Sequence, residues 1–269
     1  MAGTVATLDL NDPAVLADPY PSYARLREGS GVSMSDDLGW LVTHHADVSA
    51  LLHDRRLSSG ALNSALYLNL PPEALAAIEP FQVGMSHNML FQDAPDHTRL
   101  RRLVSQAFTP RRIQSLRGTI AEITDSLLAG RRAGERFDVI ADLAYPLPTR
   151  VIAAMLGMDW DGLERLKQWN DDGVDFLGNA LTTTDPVGLS RRTGESYAGL
   201  TSFFEGVVAE HRAHPGDDLI CAMIAVEEQG DSLTEQELLS TCSLLFAAGH
   251  ETTTNLIGNG MLALLRHPE

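Results

Sequence analysis

The sequence predicts a mainly α-helical fold built around one long internal helix. Apolar residues recur at helical spacing through most of its 269 residues. A capping box at Thr234-Glu235-Gln236-Glu237 opens a run that can stay helical to Arg266. Only Trp40-Leu41-Val42-Thr43 reads as a strand, so β-structure is minor.

Taken in order, Tyr20 to Arg27 reads as a helix after Asp18-Pro19, and Ala46 to His53 as another. From Leu57 to Phe91 the Pro71-Pro72 pair, Gly60 and Pro80 predict an irregular segment suited to a binding loop. Helices follow over 94–108, 111–130, 139–156, 161–178, 195–213 and 217–228, with a loop over 178–188. Asp93 is the expected cap of the 94–108 helix, with Pro95 in its first turn. The last helix, 33 residues from Thr234, would measure about 50 Å at 1.5 Å per residue. Its first half is apolar nearly all round, which marks a buried element.

Composition narrows the function classes. The chain is 44% hydrophobic and 21% charged, enough apolar material for a substantial core. Twenty basic against 36 acidic residues give a net charge of −16, which repels nucleic acid and anionic membrane surfaces. Two cysteines, Cys221 and Cys242, cannot make a disulfide framework. Both sit in apolar helical stretches and read as structural. With no leader-like pattern in residues 1–9 and no bilayer-length apolar run, a cytoplasmic protein is expected.

Two segments carry chemistry. Ala247-Ala248-Gly249-His250-Glu251-Thr252-Thr253-Thr254 is a poor helix middle by propensity, with a glycine and three β-branched threonines. Ala248 and Gly249 would let a flat ligand approach the backbone. Thr252 can turn its hydroxyl to the Ala248 carbonyl, and Glu251 adds an acid beside it. A buried kink with a partly solvated acid explains the same residues equally well. His250-Glu251 starts a zinc motif that fails at Thr254. In the second segment, Leu100, Leu103, Val104, Ala107 and Phe108 make one apolar face, and His97 and Arg101 stand four apart at its edge. Two cations turned toward a core need an anion, and arginine suits a carboxylate. Side chains snorkelling over a core are the plainer alternative. His44, His45 and His53 read as surface, and His211 and His214 as solvated near a helix end.

Both segments resemble the cytochrome P-450 family in its soluble bacterial form. Ala248-Gly249-His250-Glu251-Thr252-Thr253 matches the motif A/G-G-x-D/E-T-T, and His97 with Arg101 matches H-x-x-x-R. Arg56-Leu57-Ser58, Pro146-Leu147-Pro148 and Leu265-Arg266-His267-Pro268 match in order as well. The resemblance implies a haem b monooxygenase oxidising a small hydrophobic molecule. It implies that His97 and Arg101 hold the haem propionates, that Ala248 and Gly249 line the oxygen side, and that Glu251 and Thr252 relay protons. The family's E-x-x-R pair and cysteine loop have no match here, so the expectation is an N-terminal portion, one domain over 1–269, inactive by itself. The haem-ligand cysteine is then absent from this chain. A ferredoxin-type electron donor would dock at Arg99, Arg102, Arg111 and Arg112, within a stretch of six arginines and two acids. A non-catalytic helical binding module or a pseudoenzyme is the alternative.

Overall fold

The computed structural model describes residues 8–9, 12–35, 39–132, 134–159, 164–228 and 230–269. Residues 1–7, read above as free of a leader, and the start of the 161–178 helix lie outside the described residues.

Two short helices, α1 (Pro13–Ala17) and α2 (Tyr20–Glu28), lead into an antiparallel hairpin. Its strands are β1 (Val32–Ser35) and β2 (Gly39–Val42), with Val32 opposite Val42. Helix α3 (His45–Leu52) follows. The segment expected to be irregular instead contains α4 (Gly60–Ala65) and α5 (Pro72–Ser86), then a 3-10 turn at Met89–Phe91. Pro72 sits in the first turn of α5, where its missing N–H costs nothing. Pro80 lies inside the helix and removes one hydrogen bond. Burial outweighs that loss: Ala74, Ile78, Phe81 and Met85 recur at helical spacing and are all buried.

Helices α6 (Asp96–Ala107), α7 (Pro110–Leu128) and α8 (Pro146–Met155) come next, with a π-helical turn at Ile140–Ala144 before α8. Asp93 does not cap α6, whose cap position is Pro95. Its carboxylate is taken by the Ser58 hydroxyl and by the Ser59 N–H at 2.9 Å. These bonds hold the Asp93 carboxyl below its ordinary value, and they tie the Arg56–Ser59 loop to the start of α6. Helix α9 spans Glu164–Asn179. Helix α10 spans Pro186–Ala213 and starts nine residues before the expected 195, because Asp185 caps it at the Gly188 N–H. Helix α11 is shorter than expected, Leu219–Ala225, and ends in a small hairpin of β3 (Glu227–Glu228) and β4 (Asp231–Ser232).

The last helix, α12 (Glu235–Arg266), has the expected capping box at Thr234 and Glu237. It packs on α8, α10 and the π-helical turn, while α10 packs on α5 and α9. Gly194 on α10 meets α5 so closely that a Cβ there would lie 1.9 Å from the Ala77 carbonyl oxygen. Leu238, Leu239, Cys242 and Phe246 of α12 are buried in the core with Phe176, Phe204 and Ile220. The apolar residues α12 leaves in solvent lie in its second half, Leu256, Leu262, Leu264 and Leu265. No described helix is long and apolar enough to cross a membrane.

Candidate functional site

The middle of α12 forms one wall of an apolar cavity of about 230 Å³. Leu244, Ala247, Ala248, Glu251 and Thr252 line it at the spacing of one helix face. Phe81 and Met85 of α5, Leu90 and Phe91 of the 3-10 turn, and Tyr197 and Leu200 of α10 complete the apolar lining. Helix α9 adds Trp169, Asn170, Gly173, Val174 and Leu177. Of the 57–91 segment expected to be a binding loop, five residues line the cavity, and of the 178–188 loop none does. The α9 residues were not anticipated. Trp169 and Val174 read locally as ordinary helix residues; Trp169 is half-buried against Phe203 of α10, while Val174 borders the cavity from its exposed side.

Polar groups in this wall have defined partners. Thr252 donates its hydroxyl to the Ala248 carbonyl at 2.7 Å, as the spacing predicts. Thr253 and Thr254 bond back in the same way, at 3.2 and 2.8 Å. Ser243 donates to the Leu239 carbonyl at 3.0 Å, and Asn88 accepts from the Leu90 N–H at 2.9 Å. Tyr197 shares hydrogen bonds with Ser240 and Ser243, yet burial pushes its phenol up. Asn170 differs: it is buried, and its amide Nδ2 has no hydrogen-bond partner among the described residues. Glu251 is half-buried, and its charge acts on Lys167 of α9. That ammonium pairs with Asp171 and stands 5.6 Å from the centre of the Tyr145 ring. Its pKa is raised, first by the Asp171 hydrogen bond and more weakly by Glu251.

Gly249 faces elsewhere. A Cβ there would lie 2.9 Å from Ile152 Cδ1, so its missing side chain serves the close approach of α8 to α12. Ala248 alone of the two small residues borders the cavity. His250 is buried, its Nδ1 2.9 Å from the Phe246 carbonyl and its ring against Tyr145 and Phe246.

On α6 the expected apolar face is buried at Leu100, Leu103, Val104 and Ala107. His97 is half-buried and Arg101 exposed, and neither borders the cavity. Arg99 is not a free docking cation. It pairs with Glu237 of the capping box and with Asp231 of β4 at 3.2 Å, bracing α6 against the start of α12. Arg112 pairs with Asp217 at 3.1 Å, and Arg102 lies 4.0 Å from Asp231. Acids distant in sequence thus cancel part of the positive excess counted along α6 and α7; Arg111 remains exposed.

Neither cysteine borders the cavity. Cys242 is fully buried, and desolvation pushes its thiol up to about 12. Cys221 is only partly buried, at the start of α11. His211 is not solvated as expected, because its side chain is 10% exposed and faces Asp218.

Comparison with known proteins places the chain. The family model described as "Cytochrome P450" matches residues 74–269. Cytochrome P450 CYP107DY1 of Priestia megaterium is 36% identical over 97% of this chain and 64% of its own length. Cytochrome P450 monooxygenase PikC of Streptomyces venezuelae is 37% identical over 99% of this chain and 62% of its own. Among solved structures, CalO2 superposes with a TM-score of 0.82 at 32% identity, over 98% of this chain and 64% of that one. P450BioI, crystallised with a fatty-acyl-ligated acyl carrier protein, gives 0.80 at 32% identity, over 95% and 63%. The chain therefore spans a little under two thirds of the relatives it matches. With the family model matched over residues 74–269 and relatives 36–37% identical across nearly all of this chain, it belongs to the cytochrome P450 family.

Proposed function

We propose that the complete enzyme is a haem monooxygenase that oxidises a small, mostly apolar molecule held beneath α12. One atom of O2 enters the substrate and the other leaves as water, with two electrons from a redox partner and two protons. The observation that carries this reading is the apolar cavity whose wall holds Ala248, Glu251 and Thr252 together. Haem, when bound with a thiolate ligand, supplies the activation of O2.

The residues present fit part of a haem site. Two potential cations four apart at one edge of α6, His97 and Arg101, match the two carboxylates of a haem edge. The cavity-facing side chain of Ala248 leaves room for a flat ring against α12. Neither cysteine suits the iron: Cys242 is sealed in the core, and Cys221 lies away from the cavity. The thiolate ligand is assigned to a residue outside this chain, in keeping with the greater length of the relatives.

The remaining work falls to this chain's own groups. The Phe81, Phe91, Val174, Leu200 and Leu244 side chains exclude water and hold an apolar substrate. Thr252 Oγ1, resting on the Ala248 carbonyl, can turn to hold a proton over the reaction site. Glu251, half-buried beside Lys167, can refill it from solvent. The electron donor docks at Arg102 and Arg111, with Arg99 and Arg112 at the margin; Arg99, Arg102 and Arg112 each already share their charge with a neighbouring acid.

The test is haem binding by the complete protein and its variants His97→Ala and Arg101→Ala. Reduced and treated with carbon monoxide, the parent should give a thiolate-type difference band. Each variant should lose haem more readily, by about tenfold in affinity for one charge-assisted contact. No haem uptake, or equal retention in all three, contradicts the reading.

A further inference from the structure

Away from the cavity, three chemically capable side chains converge where α10 ends and α11 begins. His211 lies in the last turn of α10, Asp218 is the N-cap of α11, and Cys221 is in its first turn. One donor atom from each, the ring nitrogen of His211, a carboxylate oxygen of Asp218 and the sulfur of Cys221, lies within 4.8 Å of the other two. His211 Nε2 stands 3.5 Å from Asp218 Oδ1, a separation that suits neighbouring ligands on one small cation.

The surroundings aim each group. His211 Nδ1 donates to the Val207 carbonyl at 2.8 Å, which fixes the ring with Nε2 turned toward Asp218. The Asp218 carboxylate accepts the Cys221 N–H at 2.8 Å, and the Cys221 sulfur accepts the Gly216 N–H at 3.1 Å. Metal-binding side chains are oriented by outer hydrogen bonds of this kind. Gly157, at φ +70°, covers the cluster from the turn after α8. A Cβ there would stand 2.6 Å from Asp218 Cγ and 2.7 Å from His211 Nε2, so glycine keeps the space over these groups open. An N-cap with an ion pair accounts for Asp218 and His211 alone. The Cys221 sulfur also lies 3.8 Å from the His211 carbonyl and hydrogen-bonds the Asp218 side chain, so the thiol is held beside both other groups.

We propose that His211, Asp218 and Cys221 form a zinc site independent of the haem chemistry. The donor set of one nitrogen, one oxygen and one sulfur suits a borderline-soft, four-coordinate ion, with water as fourth ligand, and does not suit calcium or magnesium. Bound there, zinc joins the end of α10 to the start of α11, under the turn that carries Gly157.

The experiment uses the full-length protein, stripped with a chelator and titrated with Zn2+, then with Co2+ as an optical reporter. One equivalent of Zn2+ should bind, and Co2+ should show a thiolate-to-metal charge-transfer band. Cys221→Ser should abolish that band, and Cys221→Ser, His211→Ala and Asp218→Asn should each weaken Zn2+ binding by about 100-fold. Asp218→Asn keeps an N-cap side chain, so the helix survives while the charged ligand is lost. Cys242→Ser should leave the Zn2+ affinity and the cobalt band unchanged. Absence of a stoichiometric Zn2+ site, or binding and a cobalt band unaltered by Cys221→Ser, overturns the proposal.

Discussion

In the proposed mechanism the Thr252 hydroxyl serves both the helix and the reaction. Its bond to the Ala248 carbonyl is local and weak enough to exchange for a bond to a bound species. Thr252→Ala removes an orienting group and no packing, since the side chain is exposed at the cavity wall. In the complete enzyme, substrate binding should stay within about twofold while product formed per O2 consumed falls by about tenfold, a change of about 1.4 kcal/mol at the reacting step. Oxygen uptake measured beside product analysis checks this; unchanged coupling removes Thr252 from the proton path. The Thr252 hydroxyl contact was legible in the sequence because it depends only on residues four apart. The facing of Gly249 was not, because Ile152 reaches it from α8. Asn170 was equally invisible, since an asparagine in a polar-rich helix gives no sign of burial. Its amide, unpartnered among the described residues, leaves a donor at the cavity lining.

Among the elements, α12 was the most legible, since its capping box and its long apolar run are local signals that agree. Helix α5 was misread because proline pairs suggest loops, whereas Ala74, Ile78, Phe81 and Met85 carried the helical period. The early start of α10 was hidden by the threonine-rich stretch before Asp185. Two substitutions test how these elements are locked. Gly194→Ala sets a Cβ against a backbone carbonyl that cannot rotate away. It should cost about 1–3 kcal/mol in a urea unfolding experiment, and a neutral result would mean that α5 and α10 are not in tight contact. Arg99→Ala leaves the Glu237 carboxylate, which is almost fully buried, without its cation. A loss of about 1.5–3 kcal/mol is expected, reduced by high salt, whereas Arg111→Ala on the exposed face of α7 should be near neutral.

For the whole molecule, the −16 charge and the packed helical core leave two local departures that point to function. One is the cavity wall on α12; the other is the set of leucines Leu256, Leu262, Leu264 and Leu265, 45–71% exposed and spread round the last turns of the same helix. Exposed apolar side chains of this size all round one helix end favour association. The chain spans 62–64% of the length of the relatives it matches. Residues 1–269 alone should therefore bind haem weakly, without a thiolate-type band, and should self-associate. The activity claim itself is tested most directly with the complete enzyme, a reductase system and 18O2. One 18O atom should appear in each product molecule and the other in water. Product oxygen drawn from the solvent, or no product across apolar substrates that fit the cavity, would contradict the account.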